Sequence, residues 1–122
     1  MRHEDKDQAR SFEERLWPYY AEAFEILRGR QKHYGPANIL AAGVWGTLEQ
    51  TVNKVERARA QLDGEIEAGK IRLSEMDSKT EAVFRDSLMD LINYAAIALA
   101  LWDGEWTAGM KMEPDSVVRN VR

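Results

Sequence analysis

Two aspartates and an asparagine, Asp86, Asp90 and Asn93, stand at i, i+4 and i+7. On a helix that spacing puts all three on one face, within roughly 60° of each other. Oxygen-rich faces of this kind suit Mg²⁺ or Mn²⁺, which take carboxylates and keep waters for phosphate oxygens. Glu22 and Glu25 form a second acidic pair earlier in the chain. Brought together, Glu22, Glu25, Asp86 and Asp90 would make a magnesium site for a nucleoside di- or triphosphate. Lys54 and Arg57 share one helical stripe. They would offer phosphate a point charge and a bidentate fork. His33, in the run Lys32-His33-Tyr34-Gly35-Pro36, offers a base or a stacking ring.

Each of these sets also has a purely structural reading. Acids at i and i+4 repel by a few tenths of a kcal/mol on an exposed helix, and a basic partner removes that cost as well as a metal does. Asp86 and Asp90 then become a salt-bridged helix face. Glu22 and Glu25 lie roughly opposite the apolar stripe of Tyr20, Phe24 and Leu27, where solvated charge belongs. Lys54 and Arg57 sit about 180° from the stripe Leu48, Val52, Val55, Leu62 and Ile66. They are therefore expected to face solvent within one subunit, and a ligand only where a second subunit or the tail covers them. A histidine in a last helical turn often does no more than favour the helix dipole.

These residues need elements to hold them, and the chain supplies helices. Ser11 with Glu14 makes a capping box. Pro18 is expected to break or restart the first helix, whose main part runs from about Pro18 to His33 and stops at Tyr34-Gly35-Pro36. Residues 37–46 are small and apolar, with Gly43 and Gly46 three apart, and read as a short helix or turn packed on a neighbour. A long helix follows from about Thr47 to Ala68, weakened at Gly64 and ended by Gly69. Asp77 or Ser78 caps the last long helix, which runs to about Trp102 and stops at Asp103-Gly104. Its apolar stripe is Phe84, Leu88, Leu91, Ile92, Ala95, Leu99 and Trp102. The face of Asp86, Asp90 and Asn93 continues into Ile97 and Leu101, so it enters a section that is apolar all round, the signature of burial. Carboxylates and an amide at such a boundary need a metal, a base or a polar ligand.

The totals bound the function classes. The 122 residues suffice for one domain with a core. We read 1–10 as a flexible tail, 11–103 as a single helical domain and 104–122 as a C-terminal tail in which Val117, Val118 and Val121 pack on the body or on a second subunit. A net charge of −4 argues against bulk electrostatic binding of nucleic acid. With no cysteine there is no disulfide and no thiolate zinc site. The longest apolar run, Tyr94 to Trp102, is too short to span a bilayer, and the charged start is no secretory signal. A cytoplasmic protein is expected. There is no strand alternation, no phosphate loop and no supported nucleophile. The fold class is all-α, a helical bundle of three to four main helices.

Taken in order, Lys32-x-Tyr34-Gly35, Gly43-x-x-Gly46, Lys54-x-x-Arg57 and Asp86-x-x-x-Asp90-x-x-Asn93-Tyr94-Ala95 resemble the nucleotide modification associated domain 1 family of phages and prophages. That family is itself similar to the all-α nucleotide pyrophosphatases of the MazG and dimeric dUTPase type. The resemblance covers roughly residues 20–103. It implies a nucleotide-binding bundle completed by dimerisation or higher homo-oligomerisation. Tyr34, Gly35, Lys54, Arg57 and Asn93, with His33, would hold the nucleotide. Asp86 and Asp90 would be catalytic and, with Glu22 or Glu25, would hold Mg²⁺. Gln50 and Asn53 replace an Arg and an Asp common in the family, and the spacing of Asp86 and Asp90 departs from the Glu-x-x-Asp of the pyrophosphatases. Two activities follow as expectations. One is Mg²⁺-dependent hydrolysis of a nucleoside phosphate. The other, favoured by the weakened acidic pattern, is non-catalytic sequestration of a nucleotide, including a signalling nucleotide of host defence.

Overall fold

The computed structural model describes residues 9–67 and 76–114, without the side chains of 65 and 67. It contains three helices and, among the described residues, no strand: α1, Phe12–Tyr34; α2, Ala37–Glu67; α3, Ser78–Trp102. The all-α expectation therefore holds. No described helix is long and apolar enough to cross a membrane. The tail expected over 1–10 falls largely outside the described residues, as do the stop expected at Gly69 and the packing expected of Val117, Val118 and Val121.

Local chemistry sets the helix ends. The Ser11 hydroxyl accepts from the Glu14 amide at 3.2 Å, and Glu13 and Glu14 lie in the positive first turn of α1. Pro18 does not break this helix. It sits within the single element Phe12–Tyr34, where one missing N–H is tolerated. Gly35 closes α1 with φ 73°, its amide donating to the Gln31 carbonyl at 2.9 Å. Asp77 caps α3 by accepting from the Thr80 amide at 2.9 Å and from its hydroxyl at 2.8 Å. Gly104, φ 75°, follows the end of α3.

The second helix is two helices in one. Gly43 stands inside it at φ 67°, ψ −172°, a backbone state open essentially to glycine alone. The expected short segment before a long helix is therefore present, but joined through a kink rather than a loop. A Cβ on Gly46 would meet that of Ala42 at 3.0 Å, so the two small residues allow the tight bend.

α3 is the central element, packed on α2 and, less extensively, on α1. Its buried face is Ser87, Asp90, Asn93 and Ile97. The stripe expected to form the core is only half-buried at Phe84, Leu91 and Ile92 and turns outward elsewhere: Leu88 is exposed, Leu99 is 65 % exposed and Trp102 is 78 % exposed. The same inversion holds in α2, where Thr47 and Ala58 are buried while Leu48, Val52, Val55 and Ile66 face out. In α1, Ala23 is buried and Tyr20 and Phe24 are exposed. Asp90 and Asn93 pair across the helices, Ser87 donates to the Val83 carbonyl of its own helix at 2.9 Å, and small or apolar Ala23, Ala58, Met89 and Ile97 fill the rest of the buried face. Beyond α3 the chain returns over the end of α1. Trp106 is buried there, its indole N–H donating to the Pro36 carbonyl at 3.1 Å.

Gly43→Ala should lower the unfolding free energy by about 1–3 kcal/mol, since alanine has no unstrained conformation at that kink. Urea unfolding monitored by circular dichroism checks this. An unchanged midpoint would show that the bend is not imposed by the backbone.

Candidate functional site

Asp90 and Asp86 are one helical turn apart on α3, and each meets bases from two other helices. The Asp90 side chain is 3 % exposed. Its Oδ1 accepts from Arg30 Nη1 of α1 at 2.5 Å, and its Oδ2 lies 2.9 Å from Lys54 Nζ of α2. Asp86 is half-exposed. Its Oδ1 accepts from Arg30 Nη2 at 3.1 Å, and its Oδ2 lies 3.9 Å from Arg57. Arg30 thus forks across both carboxylates. The hydrogen bond to Asp90 and the pull of both carboxylates outweigh desolvation and raise the Arg30 pKa, so it remains a cation at any working pH.

The structure thus joins Lys54 and Arg57 to Asp86 and Asp90, four residues the sequence had singled out. Lys54 does not face solvent as expected; it is largely buried and points at Asp90. Asn93 walls the same cavity as Arg30 and Asp90 but takes a different partner. Its amide N–H donates to the Ala23 carbonyl at 2.8 Å and ties α3 to α1. Glu22 pairs with Arg85 at 3.4 Å, and Glu25 lies 3.9 Å from Arg28. Among the described residues, no three His, Asp or Glu side chains converge as a metal-binding group. Every oxygen of Asp86 and Asp90 faces a cation, so Mg²⁺ would have to displace Arg30 and Lys54. As arranged, the donor set does not fit a divalent cation.

It fits an anion better. Arg30, Lys54 and Arg57 set three positive charges against two negative ones. A guanidinium carries five N–H donors, of which the aspartates take two from Arg30. Arg30 and Asp90 also wall a cavity of about 220 Å³, with Gln31, Tyr34, Asn93 and Tyr94. Gly35 lies at its rim beside Tyr34, whose ring is exposed and meets His33 edge-on at 4.9 Å between centroids. A larger groove of about 640 Å³ adjoins it and shares Leu27, Gln31 and Gly35 as walls; Trp106, Met110 and Met112 of the C-terminal segment close its other side. Gln31 Oε1 is buried with no hydrogen-bond partner among the described residues. That polar atom is unusual, since a buried acceptor normally finds a donor.

Arg30 and Gln31 were not singled out from the sequence. A signal for Arg30 existed: Ala23, Leu27, Arg30 and Tyr34 fall at i, i+4, i+7 and i+11, one stripe of α1 that starts at the buried Ala23 and, from Leu27 on, walls the cavity. A basic residue on that face had to meet an acid on a neighbour. Comparison with family models, curated proteins and solved structures yields no match.

Asp90→Asn should destabilise the fold by about 2–4 kcal/mol, because it strips the shared counter-charge from Arg30 and the largely buried Lys54. Asp86→Asn, at a half-exposed position, should cost about 1 kcal/mol or less. Chemical denaturation of the two variants checks the contrast. Equal effects would contradict the dominance of the buried carboxylate.

Proposed function

We propose that this chain is a nucleotide-binding protein that holds its ligand by the phosphates without hydrolysing it. The observation that carries the reading is the excess of positive charge in the Arg30, Lys54, Arg57 cluster, part of which walls a cavity. Asp90 and Asp86 orient the cations in advance, which lowers the entropic cost of ordering them on a phosphate. A space of about 220 Å³ takes one phosphate group or one base. The adjoining groove, with Tyr34 and Tyr94 nearby in the smaller cavity, gives the rest of a nucleotide an apolar bed. His33 and Tyr34 are the rings placed to stack on a base from outside.

The resemblance to phage nucleotide modification domains and MazG-type pyrophosphatases supports the same ligand class, and a bundle completed by a second copy. Hydrolysis with Mg²⁺ would require Asp86 and Asp90 to be released from Arg30 and Lys54. The geometry therefore favours sequestration, with cyclic signalling nucleotides of host defence among the ligands to be tried.

The test is thermal melting against nucleoside mono-, di- and triphosphates and cyclic nucleotides, with Mg²⁺ and with EDTA, followed by chromatography of the recovered ligand. At about 100 times Kd a true ligand should stabilise the fold by about 2.7 kcal/mol, raising Tm by several degrees. The shift should survive EDTA, the ligand should return intact, and Arg30→Gln should weaken binding about tenfold or more. Product in the recovered ligand, formed only with Mg²⁺, would establish the hydrolytic reading instead. No shift with any nucleotide would end both.

A further inference from the structure

The outward face of α2 is a regular seam. Trp45, Leu48, Val52, Val55, Leu62 and Ile66 follow an alternating three-and-four spacing, the a and d positions of successive heptads, with Arg59 filling the one remaining place. Trp45, Leu48, Val52, Val55 and Ile66 are all exposed, Trp45 to 76 % and Val52 to 55 %. The seam is about 32 Å long at 1.5 Å per residue. It lies about 110° around the helix from the Thr47, Lys54 and Ala58 face that packs on α3. An uncovered apolar stripe of this length is what an association surface looks like.

We infer that the α2 seam is a two-fold interface between two copies of this chain, with the two α2 helices antiparallel. This deepens the dimeric part of the proposed function and does not depend on the nucleotide. The occupant follows from the seam's own residues. An antiparallel register centred on Arg57 sets Leu48 against Ile66 of the partner subunit and Val52 against Leu62 of the partner subunit. The charged interruption, Arg59, then lies opposite Val55 of the partner subunit and beside Glu56 of the partner subunit. The two-fold axis repeats that pair, so two arginines meet two glutamates at the centre. A seam that is apolar at both ends and charge-complementary to itself in the middle specifies its own copy and its own register. The outward face of α3 also exposes Leu88, Leu99 and Trp102, but these three are set eleven and three residues apart and make no continuous heptad seam like that of α2.

Light scattering on the full chain tests the placement. Wild-type protein should show a mass of twice 14.0 kDa or an even multiple of it. Val52→Glu should halve that mass with helical circular dichroism retained. Arg59→Glu should weaken association at least tenfold, and Glu56→Arg in the same chain should restore it. The exposed charge-reversal pair keeps the test decisive where Val52→Glu does not fold. A wild-type protein of 14.0 kDa would overturn the dimeric reading altogether. A wild-type dimer unmoved by Val52→Glu and by Arg59→Glu, but split by Leu99→Glu, would overturn only the α2 placement. In either case nucleotide binding is read separately, by melting.

Discussion

The buried carboxylate of Asp90 is the constraint around which the helices are arranged. A lone ionised carboxylate at 3 % exposure would be far too costly to keep. It is kept because α1 brings Arg30 and α2 brings Lys54, one to each oxygen. One side chain of the central helix therefore fixes the positions of both neighbours. Asn93 one turn on makes the second tie, to the Ala23 carbonyl of α1. The cap at Asp77, the stop at Gly35 and the bend at Gly43 place these helices so that the ties can form.

The same constraint explains why the faces are inverted. Polar groups that pair across helices claim the inner face, and the apolar stripes of α2 and α3 are left outside. In a single chain this is an unfavourable distribution of surface. The proposed second copy over the α2 seam would make it favourable, and the polar interior would then serve as the proposed pre-arranged set of cations. Fold and site are thus one arrangement: the contacts that hold α1, α2 and α3 together also present Arg30 at the wall of the cavity.

Much of the helical framework was legible in the sequence, because its signals are local. Ser11 with Glu14, Asp77 before α3, Tyr34-Gly35-Pro36 and Asp103-Gly104 each encode a helix end within a few residues. The polar face of Asp86, Asp90 and Asn93 is legible, and Asp90, Asn93 and Ile97 are buried as expected, but the apolar section it enters is not: Ala95, Ala96, Leu99 and Trp102 are exposed. Periodicity marks an apolar stripe but does not say whether it packs within the chain, so Leu48, Val52 and Leu99 read as core in sequence and are exposed in the structure. Pro18 looked like a break because its missing N–H is visible in sequence, whereas the packing and capping that sustain α1 around it are not. The sequence marks only the stripe on which Arg30 lies; its partner Asp90 is 60 residues away, and a pairing across helices is not encoded locally.

The proposed anion site consists of Arg30, Lys54 and Arg57, held in place by Asp86 and Asp90. The most direct measurement is the NMR signal of the arginine Nε–H groups, titrated with a nucleoside triphosphate in EDTA. Saturable shifts of Arg30 and Arg57, with Arg59 unmoved, are expected. Signals that stay fixed in EDTA and respond only when Mg²⁺ is added would contradict the proposed site, because the aspartates would then be metal ligands and not the counter-ions of a phosphate site.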